Sequence, residues 1–286
     1  MITDLAGKTC LVTGATSGIG KVTARELARM GGRVFVHGRN PAKVEATVAE
    51  IRTATGGTVE GFIADFASLA DVRQLAVDVR ARTDRLHVLV NNAGGATMRR
   101  TLSNDGIELT FAVNHLAPFL LTNLLLDLLT ASAPARIVNV ASEAHRIAPL
   151  DFDDLQNERR YRAFGAYGLS KLANILFTCE LARQLDGTGV MVTAVHPGAV
   201  NTGIWDSTAG TVRRILRVMQ WFMLSPERGA APVVRLAAQQ DVAGVTGAYF
   251  KRFKQVRSAP QSNDIAVQRR LWEMSARLTG LTQAAR

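Results

Sequence analysis

Thr13-Gly14-Ala15-Thr16-Ser17-Gly18-Ile19-Gly20 follows the apolar run Cys10-Leu11-Val12 and opens a stretch of helical periodicity. A short buried strand, a glycine-rich turn and a helix, in that order, make the first βα step of an open parallel sheet. Glycines at 14, 18 and 20 allow the tight turn and let a pyrophosphate approach backbone N–H groups at the helix N-terminus. The spacing Gly-x-x-x-Gly-x-Gly differs from the GxGxxG dinucleotide fingerprint. Alone, the turn reads either as a phosphate cradle or as a tightly packed corner.

The same alternation continues outward. Short apolar runs at residues 10–13, 34–37, 59–64, 88–90, 137–141 and 190–195 read as strands. Helical patterns at 18–30, 41–54, 68–82, 105–129 and 166–185 fill the gaps. The expected fold is α/β: a single Rossmann-like domain over residues 1–286, a doubly wound parallel sheet with helices on both faces. There is no internal repeat and no linker. His196-Pro197-Gly198 breaks the chain, and residues 199–228 read as a loop with an apolar stripe. Pro226 opens another helix. Val267, Leu271, Met274 and Leu278 share one face of a C-terminal helix at 263–279, with Asn263 as its N-cap and Gly280 as its stop.

Among 286 residues, 47% are hydrophobic, enough for a large core, and the net charge is +10. That charge fits a nucleic-acid binder or a solvated basic surface. The basic residues are scattered in short groups such as Arg159-Arg160 and Lys251-Arg252, and no nucleic-acid module signature accompanies them. Two cysteines, Cys10 and Cys179, have no metal-site spacing and do not make a disulfide framework, which fits a reducing cytoplasm. The N-terminus carries no signal-peptide pattern, and residues 119–129 are too short and too polar to span a bilayer.

Two further features carry chemistry. At the end of the second strand, an acidic residue would bond the ribose 2′-hydroxyl of NAD, but the chain has Gly38-Arg39-Asn40. Arg39 is placed to meet the 2′-phosphate of NADP, which favours NADP(H) over NAD(H); the plain alternative is a surface arginine. Tyr167 and Lys171 stand four residues apart on a helix, which puts phenol and ammonium on one face. A nearby ammonium favours phenolate, so the phenol is expected below its usual pKa of about 10. Turn and pair together point to hydride and proton transfer between a nicotinamide cofactor and a carbonyl or alcohol.

With these elements in place, the chain resembles the short-chain dehydrogenase/reductase family. The matching elements, in the family's order, are Thr13 to Gly20, Asp65, Asn91-Asn92-Ala93-Gly94, Asn114, Ser142, Tyr167-x-x-x-Lys171 and Pro197-Gly198. Within the family it resembles the retinol-dehydrogenase-like branch through Val113-Asn114-His115-Leu116, Ser142-Glu143-Ala144-His145, Ser170-Lys171-Leu172-Ala173-Asn174 and Ser225-Pro226-Glu227-Arg228-Gly229-Ala230. The resemblance implies that Tyr167 is the general acid/base, that Lys171 lowers its pKa and binds the nicotinamide ribose, that Ser142 polarises the substrate oxygen, and that Asn114 holds a water linking Lys171 to solvent. It also implies cofactor contacts at Gly14, Thr16, Ser17, Gly18, Ile19 and Gly20, at Arg39 and Asn40, and at Asp65 and Phe66. Further contacts are implied at Asn92, Ala93 and Gly94, and at Pro197, Gly198, Val200 and Thr202.

Departures from the pattern are Ala141 in place of a serine and His87 in place of an aspartate, neither at the chemistry. The branch's membrane-anchoring segment is not expected, because the chain starts almost at its first strand. The stripe of Ile204, Trp205, Val212, Ile215, Leu216, Trp221 and Phe222 either lids a pocket for a hydrophobic retinoid-, sterol- or lipid-like alcohol or carbonyl, or packs on the core or a neighbouring subunit. Arg213, Arg214 and Arg217 leave room for weak contact with an anionic membrane surface. The family's pairing of the helices at 105–129 and 164–185 as a four-helix bundle implies a homodimer or homotetramer. A catalytically silent NADP(H)-binding sensor is the competing class, although both Tyr167 and Lys171 are retained.

Overall fold

The strands β1 (Thr9–Val12), β2 (Arg33–Gly38), β3 (Val59–Ile63), β4 (Val88–Asn91), β5 (Ala135–Val140), β6 (Val190–His196), β7 (Ala248–Lys251) and β8 (Lys254–Gln255) form one sheet in the computed structural model. It describes residues 4–148, 150–198 and 224–281. The spatial order is β3-β2-β1-β4-β5-β6-β7-β8; all neighbours are parallel except β7 and β8. The connection reverses direction between β1 and β4, and that switch point opens a crevice at the carboxyl ends of the strands. The strands beyond β6 were not foreseen. Ala248-Tyr249-Phe250-Lys251 is a short run beside Gly247, with no alternation long enough to read.

The helices are α1 (Gly18–Arg29), α2 (Pro41–Thr55), α3 (Leu69–Arg82), α4 (Leu109–Phe111), α5 (Ala117–Leu124), α6 (Leu126–Ala131), α7 (Ala163–Gln184), α8 (Pro226–Ala238) and α9 (Ile265–Thr279). Period-two alternation divides the strand side chains between two cores. Cys10, Val12, Val34, Val36, Val88 and Val90 pack under α1, α2 and α8. Leu11, Phe35, Leu89 and Ile137 face α3, α5 and α7.

The single helix expected at 105–129 is broken. Glu108, fully buried, starts it by accepting from the N–H groups of Thr110 and Phe111 at 2.9 and 2.7 Å. A π turn follows at Ala112–Leu116. Pro118 lacks the N–H that would reach back four residues to the Asn114 carbonyl, so that acceptor is released from the helix ladder. Asn174 Nδ2 of α7 donates to it at 3.0 Å.

α9 also departs from the expected pattern. Asp264, one residue after Asn263, is its N-cap and accepts from the Ala266 and Val267 N–H groups. The buried face is Gln268, Leu271, Trp272, Ser275, Ala276 and Thr279; Val267, Met274 and Leu278 flank it half-buried. Trp272 sets this rotation: its ring meets Phe119 of α5 at 4.9 Å and Phe177 of α7 at 5.8 Å between centroids. Ser275 Oγ reaches His115 Nε2 at 2.9 Å, and Arg73 of α3 donates to the Thr279 carbonyl at the helix end.

α9 therefore fills the groove between α5 and α7, the surface that the expected homodimer or homotetramer would use. The expected lid at 199–228, with Val200, Thr202, Trp205, Trp221 and Phe222, lies outside the described residues as far as 223. Ser225 caps α8 through the Arg228 N–H.

Trp272 is 9% exposed and touches two aromatic rings. Trp272→Ala is expected to cost about 3 kcal/mol in stability, as for large-to-small changes in cores. Urea denaturation followed by circular dichroism measures this; a midpoint unchanged from wild type would contradict the docking of α9.

Candidate active site

The cofactor half of the crevice begins with a latch between β1 and β4. Thr13 Oγ1 donates to the Val90 carbonyl at 3.2 Å and accepts from the Asn92 and Ala93 N–H groups at 3.0 Å each. Asn92 Nδ2 returns a bond to the Thr13 carbonyl at 2.8 Å and approaches that of Gly14 at 3.2 Å. This closeness needs glycine. A Cβ on Gly14, whose φ is +62°, would lie 2.7 Å from Ala93 Cα. One on Gly20 would lie 2.4 Å from both Asn92 Nδ2 and the Gly14 carbonyl oxygen.

Ser17 is the N-cap of α1 but makes no side-chain cap, and the first turn of α1 carries no acidic residue. The helix thus leaves N–H groups and positive dipole available to an anion. Clearance and charge together fit the pyrophosphate of a dinucleotide held along Gly14, Thr16, Ser17, Gly18, Ile19 and Gly20.

His37 is a residue that the sequence reading missed. Its Nδ1 accepts from the Gly14 N–H at 3.3 Å, so Nε2 carries the proton and donates to the Ala64 carbonyl at 3.1 Å. Burial pushes this imidazole down to about 4. Phe66 stacks on it at 4.4 Å, so the Phe66 side chain is committed to packing. Asp65 is half-buried and accepts from the Ala67 N–H. Arg39 is exposed at the end of β2, and Asn40 caps α2 by accepting from Lys43 at 3.0 Å. Pro197 and Gly198 follow β6; a Cβ on Gly198 would lie 2.5 Å from Leu224 Cδ1.

The other half of the site gathers around the ends of β4 and β5. Lys171 is 4% exposed, and its Nζ donates to the Val140 carbonyl at 3.0 Å while lying 5.6 Å from the Tyr167 ring centre. Gly94 lies between Asn114 and Lys171: a Cβ there would be 3.0 Å from Asn114 Oδ1 and 3.5 Å from Lys171 Nζ. Asn114 accepts from the Gly95 N–H at 2.8 Å and donates to the Gly95 carbonyl at 2.9 Å and Ser170 Oγ at 3.0 Å. Ser142 hydrogen-bonds the Tyr167 phenol. The structure thus brings Ser142, Tyr167, Lys171, Asn114 and Gly94 together, from loops and helices far apart in sequence.

The expected lowering of the phenol pKa is reversed. Burial, which disfavours phenolate, pushes Tyr167 above its usual value, and the Ser142 hydrogen bond only partly opposes this. Burial also pushes Lys171 down to about 8, which leaves it mainly as the ammonium at neutral pH.

Two predictions follow from this geometry. Gly20→Ala forces Asn92 or the turn to shift and is expected to weaken cofactor binding at least about tenfold, a loss of roughly 1.4 kcal/mol; fluorescence titration with NADPH measures it. His37 and His115 both sit near pKa 4 when folded, below the 6.5 of the unfolded chain. Their contribution is present above pH 6.5 and lost as pH falls towards 4, about 3 kcal/mol for each. Urea midpoints measured from pH 7.5 to 4.5 should fall accordingly, and a flat profile would show that these histidines are not held neutral.

The chain is similar to known proteins along most of its length. The short chain dehydrogenase family model matches residues 8–212. The chain is 46% identical to retinol dehydrogenase 13 from Homo sapiens, covering 97% of this chain and 86% of that protein. It is 41% identical to retinol dehydrogenase 14 from Mus musculus, covering 96% and 86%. Among solved structures, an uncharacterised protein from Mycobacterium paratuberculosis superimposes with a TM-score of 0.78 at 32% identity, covering 97% of this chain and 95% of that one. An RhlG/NADP active-site complex from Pseudomonas aeruginosa matches with a TM-score of 0.70 at 29% identity, covering 87% and 95%. With its parallel sheet, glycine-rich turn and Tyr-x-x-x-Lys helix, this chain belongs to the short-chain dehydrogenase family and is an oxidoreductase that acts on CH–OH groups with a nicotinamide cofactor.

Proposed function

We propose that the enzyme interconverts a hydrophobic, retinoid-like alcohol and its carbonyl, with NADP(H) preferred over NAD(H). The observation that carries this reading is the Tyr167 phenol hydrogen-bonded to Ser142, with buried Lys171 one helical turn away. The similarity to retinol dehydrogenases supports the substrate class. The nicotinamide supplies or accepts the hydride when bound. The whole cofactor would be held by the turn from Gly14 to Gly20, by Asp65, by Asn92 and Gly94, and by Tyr167 and Lys171.

The chain's own residues handle the oxygen and the proton. Because burial keeps the phenol protonated at neutral pH, Tyr167 is loaded to give a proton to a carbonyl oxygen. Ser142 Oγ donates a second hydrogen bond to the same oxygen as negative charge builds there. Once the proton has left, the Lys171 ammonium favours the phenolate that remains. In the oxidative direction the same path runs in reverse, with the Tyr167 oxygen taking the proton of the alcohol. Asn114 ties the loop at Gly95 to α7 through Ser170, holding the floor of the site.

Arg39, exposed where β2 ends and with no carboxylate beside it in Gly38-Arg39-Asn40, supports recognition of a 2′-phosphate. α9 in the groove between α5 and α7 supports a chain that does not pair through that groove.

Tyr167→Phe is expected to lower turnover of all-trans-retinal by about two orders of magnitude or more while leaving NADPH affinity nearly unchanged. Near-normal turnover would remove the phenol from the mechanism. Arg39→Ala is expected to raise the Kd for NADPH about tenfold, equivalent to roughly 1.4 kcal/mol, with little effect on NADH. Equal losses for the two cofactors would reject the 2′-phosphate contact.

A further inference from the structure

The turn that carries Ser142 is braced from several directions, and a single buried side chain lies at the centre. Ser142 starts a 3-10 turn, Glu143–Ile147, and its Oγ accepts from the Ala144 N–H at 3.2 Å. On the α7 side, Gly168 lets the Ala144 carbonyl approach next to Tyr167; a Cβ there would lie 2.7 Å from that oxygen.

On the β7 side, Glu143 accepts from Tyr249 Oη at 2.7 Å and Lys251 Nζ at 2.9 Å. Burial disfavours the Glu143 charge, but these bonds and the nearby Arg146 and Lys251 charges hold its carboxyl at about 2. On the C-terminal side, Arg146 donates to the Arg257 carbonyl at 2.7 Å and Gln261 donates to the Ala148 carbonyl at 3.4 Å.

His145 joins these braces. It has no exposed surface, and Tyr249 packs edge-on against its ring at 4.9 Å. Its Nε2 lies 3.1 Å from the Ala259 nitrogen, whose N–H donates to it. A backbone N–H can only donate, so Nε2 must be the unprotonated nitrogen. The ring proton is therefore on Nδ1 and is donated to the Ser142 carbonyl at 2.6 Å. One tautomer satisfies both neighbours and ties the serine's own backbone to the segment leading into α9.

We propose that His145 is a positioning residue: through Nδ1–H it holds the Ser142 backbone so that Oγ faces the Tyr167 phenol. The inference rests on the catalytic reading of Ser142. A hydrogen-bond donor to a developing oxyanion loses much of its effect when displaced, because stabilisation depends on a fixed geometry. His145 does not touch substrate; it acts through the carbonyl of the residue that does.

Asparagine and glutamine separate the two bonds. The asparagine side-chain amide sits near the Nδ1 position, so His145→Asn keeps a donor to Ser142. The glutamine amide reaches the Nε2 position, so His145→Gln keeps an acceptor for Ala259. With all-trans-retinal and NADPH, His145→Ala is expected to lose about tenfold in kcat, a fraction of the roughly 10²–10³ that an oxyanion donor contributes. His145→Asn should recover kcat to within about threefold of wild type, while His145→Gln should stay with the alanine variant. KM and NADPH affinity should change little.

If glutamine restores turnover and asparagine does not, or if alanine turns over like wild type, His145 only anchors the C-terminal segment and the proposal is overturned. A second measurement needs no variant: ¹⁵N shifts of His145 in the wild-type protein should report the neutral Nδ1–H form, and the Nε2–H form would overturn the proposal equally. Full turnover in Ser142→Ala would instead overturn the catalytic reading of the serine, an outcome that the histidine variants cannot mimic.

Discussion

The latch between Thr13 and Asn92 is the interaction on which both halves of the site depend. β1 and β4 lie side by side at the reversal of strand order, where the Thr13 N–H also donates to the Val90 carbonyl at 3.0 Å. The Thr13 hydroxyl bonds three backbone groups across the two strand ends, and the Asn92 amide bonds two more. The glycine-rich turn is thereby pressed against the loop that leads to Gly94. Since Gly94 separates Asn114 from Lys171, the same contact sets the spacing between the nucleotide cradle and the polar cluster.

Burial, more than charge pairing, governs Tyr167, Lys171 and the histidines around this site. Tyr167 is raised and Lys171 is lowered, both because the ionised form loses solvent. His37, His115 and His145 are all pushed down, mainly by burial, and His37 and His145 are each fixed in one tautomer by a backbone N–H that can only donate. Neutral histidines at such positions work as rigid two-ended connectors. His37 joins the nucleotide turn to the end of β3, and His115 joins α9 to α7 through Ser275 and Asn174.

The second of these connectors shows how a break in one helix becomes useful. Pro118 frees the Asn114 carbonyl, and Asn174 takes it. Asn174 Oδ1 lies 3.3 Å from His115 Nδ1, and Ser170 lies between the Asn114 side chain and the Tyr167 carbonyl. A continuous polar path thus runs from α9 to the tyrosine's own backbone through otherwise apolar packing. Such a path fixes one register between helices, because any shift would strand a buried polar group. α9 supplies this end of the path from within the chain.

The order of the first six strands and the helices between them, the nucleotide turn, Arg39 in place of an acid, and the Tyr167/Lys171 pair could all be read from the sequence. Each is a local pattern: an alternation of two, a spacing of four, a glycine where the chain must turn. What the sequence could not settle depends on depth and on partners distant in the chain. The expected face of α9, Val267, Leu271, Met274 and Leu278, does pack on one core cluster, but the more deeply buried side includes Gln268, Ser275 and Thr279, and only Phe119 and Phe177 determine where Trp272 points. The break at the π turn was signalled by Pro118, but the recipient of the freed carbonyl lies sixty residues away. The sign of the Tyr167 shift was misjudged because four-residue spacing reveals a neighbouring charge but not the loss of water around both groups. Local chemistry alone determined which groups this protein carries and on which elements; only tertiary packing, by excluding solvent and pairing distant backbone groups, decided their protonation and their aim.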